Sequence, residues 1–290
     1  MTARMKNIAL ALLLISGLIQ FHFAYVAYAQ TTAPESAVNP TTSRNWAGYV
    51  ADSGTYTSVS GSWIVPGPSA AVDGSDATWV GIGGVHSRDL LQTGTQAIVQ
   101  NGQIQYSAWY EALPGLEHPI PMDIAAGDSI SASIAETSPG IWHIHMHNAT
   151  NGETYDNDVS YDSSYSSAEW IEEQPTGVGF SLALDSFGSV RFTGAATTVN
   201  GATVSIAGSG AHPLQMANDN DETVATVSSL GADNSSFTVT RTDAASSDVS
   251  LMSERRSFRR TGEYYSQSGD DGYHIYIVQD EDGFHIYLAR

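Results

Sequence analysis

Cysteine is absent from the 290 residues. That excludes disulfides, a thiol nucleophile and cysteine-based zinc sites. A chain of this size can bury a core large enough to do without cross-links, even outside the cell. Basic residues are nearly absent too. Lysine occurs once, at Lys6, and between Asn45 and Arg241 the only basic residues are Arg88, Arg191 and Arg241. The formal net charge of −20 excludes nucleic acids and anionic membrane surfaces as partners on electrostatic grounds. It also suits acid. Acid unfolds proteins largely by protonating ion-paired carboxylates and by accumulating positive charge, and a domain with three arginines has little of either to suffer. Beyond the N-terminus no apolar run is long enough to span a bilayer. No segment sustains a 3.6-residue apolar period, so helix content is expected to be low.

What is present begins with a secretory signal over residues 1–29. Arg4 and Lys6 supply its positive end, Ile8 to Ile19 its apolar stretch, and Ala27-Tyr28-Ala29 a small-x-small cleavage site. Gln20 and His22 interrupt the stretch before it reaches spanning length. The mature chain then begins near Gln30 and is secreted. Without Arg4 and Lys6 it carries 31 acidic residues against 9 basic ones, or −22. Residues 30–44, rich in Thr, Ala, Ser and Pro, read as a linker or short propeptide.

From Asn45 the texture is short runs of Val, Ile, Thr, Ser, Tyr and Trp, broken about every ten residues by Gly, Pro, Asn and Asp. This is the pattern of an antiparallel β-sandwich or barrel. Alternation is clean over Tyr56 to Val65, Gln103 to Glu111, Asp128 to Ala135, Ile141 to Asn148 and Ser189 to Thr193. The β domain is assigned to 45–241 and an extension to 242–290. The extension holds a basic cluster, Arg255-Arg256-Ser257-Phe258-Arg259-Arg260, and a repeat in which Asp271-Gly272-Tyr273-His274-Ile275-Tyr276 is echoed by Asp282-Gly283-Phe284-His285-Ile286-Tyr287. The repeat predicts a β-hairpin.

Several familiar sites are missing: no Gly-x-Ser-x-Gly elbow, no His-Glu-x-x-His and no phosphate-cradling glycine loop. Asp52-Ser53-Gly54-Thr55 is similar to the loop of aspartic peptidases, but a single-chain enzyme of that kind needs two such loops, so it reads as a turn. Trp142-His143-Ile144-His145-Met146-His147 puts three histidines on one face of a strand. With no fourth ligand evident nearby, a polar outer face opposite a Trp-Ile-Met core face is the preferred reading, and no metal is assigned.

Two stretches place Trp, Gln and Glu in buried-looking β segments, where unpaired polar groups are costly. One is Trp79-Val80-Gly81-Ile82-Gly83-Gly84 followed by Leu90-Leu91-Gln92-Thr93-Gly94. The other is Tyr106-Ser107-Ala108-Trp109-Tyr110-Glu111 followed by Ala168-Glu169-Trp170-Ile171-Glu172-Glu173. With Asn45-Trp46-Ala47-Gly48-Tyr49 and Trp63-Ile64-Val65-Pro66, this ordered set resembles the glutamic peptidase (eqolisin) family, in a form without disulfides. The resemblance runs from about Asn45 to Arg241. It implies an antiparallel two-sheet β-sandwich, lectin-like in shape, and endopeptidase activity on proteins in acid. It implies a catalytic pair, Gln92 and Glu173, with Trp79, Trp109, Glu111 and Glu169 lining or supporting the cleft. It implies no cofactor, protein or peptide substrates, and a monomer. Where fungal members carry Asp, this chain has Gly83, Gln96 and Ser107, which touches the acidic network around the pair.

An ionised Glu173 can take a proton from water and return it to the leaving amine, while the Gln92 amide stabilises the oxyanion. A free Glu, with a pKa of about 4.3, stays ionised in mild acid. Strand parity puts Glu172 and Glu173 on opposite faces but does not say which face is the cleft, and a one-residue slip nominates Glu172. Two other readings use the same residues. One is a carbohydrate-binding module that stacks sugars on exposed aromatics. The other is a glycosidase with Glu111 and Glu173 as paired carboxylates.

Overall fold

A computed structural model describes residues 42–175 and 183–243, together with the strand backbones Tyr265–Ser268, His274–Asp280 and Gly283–Ala289. The proposed signal and the Arg255 to Arg260 cluster lie outside the described residues. The fold is all β. Sixteen strands run in the order β1 (Thr42–Ser43), β2 (Trp46–Ala51), β3 (Tyr56–Ile64), β4 (Gly74–Gly83), β5 (Leu90–Gln100), β6 (Gln103–Ala112), β7 (Glu117–Ile120) and β8 (Ser129–Ser138). They continue with β9 (Ile141–Asn148), β10 (Thr154–Ser160), β11 (Ala168–Glu173), β12 (Ser189–Val199), β13 (Ala202–Ser205), β14 (His212–Ala217), β15 (Thr223–Val227) and β16 (Phe237–Arg241). Among the described residues the sole helical element is a 3-10 turn at Ile206–Ser209, and no helix is long and apolar enough to cross a membrane.

Hydrogen bonding links the strands in the order β10-β9-β8-β3-β12-β16-β15-β14-β2-β11-β4-β5-β6-β7. The path folds back on itself. The half built on β9, β8, β3 and β12 packs over the half built on β2, β11, β4, β5 and β6, and one apolar cluster draws on both. Trp63, Trp142 and Trp170 are fully buried in it. Two hydrogen bonds cross the gap: Trp63 Nε1 donates to Thr95 Oγ1 at 2.9 Å, and Trp170 Nε1 donates to the Ser60 carbonyl at 2.7 Å. Each satisfies an indole N–H that burial has removed from water.

The alternating segments form strands for the expected reason. In β9, Trp142, Ile144 and Met146 are buried while His143, His145 and His147 face outward. By contrast β4 and β5 are buried on both faces almost throughout, so their sequences carry no such alternation. Asn101-Gly102 closes the β5–β6 hairpin, with φ of 52° and 75°. Positive φ at both central residues is what a two-residue turn matching the strand twist requires. This turn sets Gln100 opposite Gln103 and therefore Gln92 opposite Glu111.

Two expectations need adjusting. Residues 30–44 are expected to be a linker or short propeptide, yet at their end Thr42–Ser43 pairs in parallel with β14, which satisfies part of that segment's backbone. The C-terminal hairpin is present as strands His274–Asp280 and Gly283–Ala289, and Tyr265–Ser268 adds a third antiparallel strand to it. The Asp52 to Thr55 stretch is a turn between β2 and β3.

Candidate active site

Three central strands, β11, β4 and β5, with β6 beside them, carry the polar residues singled out from the sequence. Register puts Glu169 opposite Gly81, Gly81 opposite Gln92, and Gln92 opposite Glu111. The next row of the same face holds Ile171, Trp79, Gly94 and Trp109, and the row after that Glu173, Ala77, Gln96 and Ser107. All six predicted residues, Gln92, Glu173, Trp79, Trp109, Glu111 and Glu169, therefore share one face, turned away from the main core. A second apolar cluster, including Trp46, Trp79, Trp109 and Ile171, packs on that face. Glu172 points the other way, into the sandwich, where it accepts a hydrogen bond from Thr78 Oγ1 at 2.6 Å.

Glu173 is held at both oxygens. Asn45 Nδ2 donates to Oε1 at 2.9 Å and Trp79 Nε1 donates to Oε2 at 2.8 Å. The Trp46 indole stands near the same carboxylate and meets Trp79 edge-on with ring centroids 5.1 Å apart. Two neighbouring glycines leave room for Trp79. A Cβ on Gly81 would meet the Trp79 ring at 2.8 Å, and one on Gly94 would meet Trp79 Cβ at 2.6 Å. Gln92 Nε2 donates to Glu111 Oε2 at 2.7 Å, while Gln92 Oε1 and Glu111 Oε1 are buried without hydrogen-bond partners. Gln92 and Glu173 do not bond directly. The register sets them two strands apart and four residues along. Glu111 links them, hydrogen-bonded to Gln92 and close enough to feel the charge of Glu173.

Burial decides the protonation of these groups. It pushes Glu173 up to about 8, although the N–H groups of Trp79, Trp46 and Asn45 oppose it. It pushes Glu111 well above the usual carboxylate range, helped by the charges of Glu117 and Glu173 and opposed by the Gln92 hydrogen bond. Glu169 is raised in the same way. No donor reaches full hydrogen-bonding distance of either of its oxygens, and Ser167 offsets its burial only in part. Burial thus works against the expectation of an ionised Glu173 in mild acid, because the exposed-carboxyl value belongs to a group in water.

On the interior side lies a second acidic group that sequence reasoning missed. Asp185, Asp76 and Glu172 are gathered there closely enough to feel one another's charges, and neither oxygen of Asp185 has a hydrogen-bond partner. Burial raises all three, Asp185 to about 10 and Glu172 to about 8. The Asp76 side chain follows from β4 parity, but Asp185 comes from a distant loop that docks through Ser75, and nothing local in the sequence foretells that.

The Peptidase A4 family matches residues 44–241, about two thirds of the chain. The chain belongs to the peptidase A4 family. It is 34% identical over 188 residues to aspergillopepsin-2 of Aspergillus niger, covering 56% of this chain and 67% of that protein. It is 30% identical over 196 residues to scytalidopepsin B of Scytalidium lignicola, covering 62% and 71%. A crystal structure of scytalido-glutamic peptidase with a transition-state-analog inhibitor superposes with a TM-score of 0.59 at 26% identity, covering 69% of this chain and 98% of that one. Aspergilloglutamic peptidase from Aspergillus niger superposes with a TM-score of 0.52 at 30% identity, covering 58% and 99%. This chain is accordingly a glutamic-type peptidase with the eqolisin β-sandwich. Membership selects the peptidase reading over the sugar-binding module and the glycosidase.

The departures from the fungal eqolisin pattern have structural counterparts. Gly83 has φ of +89°, and a Cβ there would meet the Asp89 carbonyl at 2.5 Å, so this backbone has no room for an aspartate. Gln96 and Ser107 are cross-strand partners and hydrogen-bond each other at 3.0 Å, and Gln96 also donates to Glu117 at 3.2 Å. A neutral pair thus stands where those family members have two acids.

Proposed function

We propose that this chain is a secreted endopeptidase that hydrolyses peptide bonds of proteins in acid, with Glu173 moving the protons and Gln92 stabilising the developing oxyanion. The observation that carries the reading is the setting of Glu173. It is buried on the cleft face with a donor on each oxygen, on the same face as Gln92, while its neighbour Glu172 is turned inward. Secretion rests on the signal features of residues 1–29.

In acid Glu173 meets the substrate as a carboxylic acid. Water attacks the scissile carbonyl carbon and its proton passes to the unprotonated Glu173 oxygen. The carboxyl proton passes to the carbonyl oxygen, leaving a gem-diol and Glu173 again singly protonated. In the second stage Glu173 protonates the amide nitrogen, the C–N bond breaks, and a diol hydroxyl returns its proton to Glu173. One water is split and the proton count on Glu173 is unchanged. Proton transfer by a placed side chain of this kind contributes about 10²–10⁴-fold.

Glu111 prepares Gln92. With its pKa raised, Glu111 is also protonated in acid and can donate to the amide oxygen of Gln92. A half-turn of that amide satisfies the partnerless Oε1 and frees both N–H donors for the substrate oxygen. A preorganised donor of this type is worth about 10²–10³-fold.

The test is cleavage of a denatured protein at about pH 4. Gln92→Ala and Glu173→Gln should keep the far-ultraviolet circular dichroism of the wild type and lose cleavage by at least about 100-fold. Activity near the wild-type level in either variant refutes the assignment.

A further inference from the structure

We propose that the outer face of the opposite sheet carries a divalent transition-metal site formed by His143, His145 and Asp156, with Zn²⁺ as the natural probe. The sequence shows three outward histidines on β9 and no fourth ligand. The fold supplies what the sequence hides. Strand β10 pairs antiparallel with β9 and sets Asp156 directly opposite His145 and Asp158 opposite His143. One ligand atom from each of His143, His145 and Asp156 lies within 4.8 Å of the others.

The hydrogen bonds show how the group is arranged. Asp156 Oδ1 is 3.1 Å from His143 Nε2 and 2.8 Å from His145 Nδ1, so both imidazoles converge on one carboxylate oxygen. The far nitrogen of His143, Nδ1, is 2.7 Å from Asp158 Oδ1. A carboxylate on the remote ring nitrogen fixes the tautomer and aims the other nitrogen at a metal. His147 is not part of the group, since its Nδ1 faces the Glu153 carbonyl and Thr154 Oγ1. A metal ion here is held between two imidazole nitrogens and a carboxylate oxygen. The facing residues of β8, Ser133 and Ala135, add no charge, so Asp156 and Asp158 are the charged neighbours.

Two further features fit a metal rather than a solvated face. All three side chains are partly open to solvent, with His143 at 38%, His145 at 39% and Asp156 at 52%, so the ion has an entry path. His145 also lines a shallow depression of about 220 Å³ floored by Ser60, Ser62, Ser131 and Ser133. That leaves space for the water that completes a four-coordinate shell. Because β10 ends the strand path, a bound ion would pin this edge strand to its neighbour. The site is on the other sheet from Glu173, and no proteolytic step passes through it.

The test is calorimetric titration of the full, untagged protein with ZnCl₂ at pH 6.5, with circular dichroism as the check on folding. One Zn²⁺ per chain is expected to bind saturably. His145→Ala and Asp156→Asn should each weaken binding at least about tenfold, and Asp158→Asn should weaken it about 10- to 100-fold through loss of ring orientation. Replacing Zn²⁺ by Co²⁺ should give visible d–d bands that His145→Ala removes. The proposal is overturned if the wild type binds no Zn²⁺ saturably, if His145→Ala binds as tightly as the wild type, or if His86→Ala rather than His145→Ala abolishes binding.

Discussion

Replacing Glu172 with glutamine should flatten the dependence of stability on pH. Glu172 is fully buried, takes one hydrogen bond from Thr78, and is pushed up from 4.5 to about 8 chiefly by burial. A carboxyl whose pKa is raised by folding binds more protons in the native state than in the unfolded chain. Its contribution is therefore fully present below about pH 4.5 and is lost as pH rises through about 8. For a shift of this size the loss between pH 4 and pH 7 is about 3 kcal/mol. Domains are stable by only about 5–15 kcal/mol, and Asp76, Asp185, Glu111, Glu169 and Glu173 are raised in the same direction. The wild type should thus be most stable in acid and close to unfolding near neutrality. Glutamine keeps an oxygen for Thr78 and cannot ionise. Urea unfolding followed by tryptophan fluorescence at pH 4, 5.5 and 7 should show the variant losing about 3 kcal/mol less than the wild type over that span. The loss will be smaller if the Asp185–Asp76–Glu172 chain releases its protons as a unit. Parallel stability curves for the two proteins would refute the reasoning, as would a wild type more stable at pH 7 than at pH 4.

Other consequences are more local. Trp79→Phe removes the donor to Glu173 Oε2, so kcat should fall about tenfold with KM changed much less, read from steady-state cleavage at pH 4. Gly94→Ala forces a Cβ to within 2.3 Å of the Thr78 carbonyl and 2.6 Å of Trp79 and should cost about 1–3 kcal/mol in urea unfolding while displacing Trp79. Thr95→Val strands the buried Trp63 N–H and should cost about 1–3 kcal/mol at every pH, with the cleavage rate at pH 4 unchanged.

Much of this was legible because strands repeat every two residues. The pattern of Ile141 to Asn148 marks both the strand and its buried face, and Asn101-Gly102 marks the turn that brings Gln92 opposite Glu111. Parity alone separates Glu172 from Glu173, but only the partners of β11 show which side is the interior, since Ala168, Glu169, Glu172 and Glu173 are all buried. The second layer of the site was not legible. Asn45 reaches Glu173 across 128 residues, Asp185 reaches Asp76 from a loop, and Asp156 meets His145 only once β10 has paired. The direction of the pKa shifts was not legible for the same reason. Residue type supplies an ordinary pKa, whereas the shift comes from burial that several strands create together.

The central claim is that of two adjacent buried glutamates, one faces the chemistry and the other the core. Cleavage of a denatured protein at about pH 4 by Glu173→Gln and Glu172→Gln, measured side by side, tests it most directly. Glu172→Gln should cleave within a few-fold of the wild type, and Glu173→Gln should fall by at least about 100-fold. The reverse order, or equal losses in two folded variants, would contradict the account.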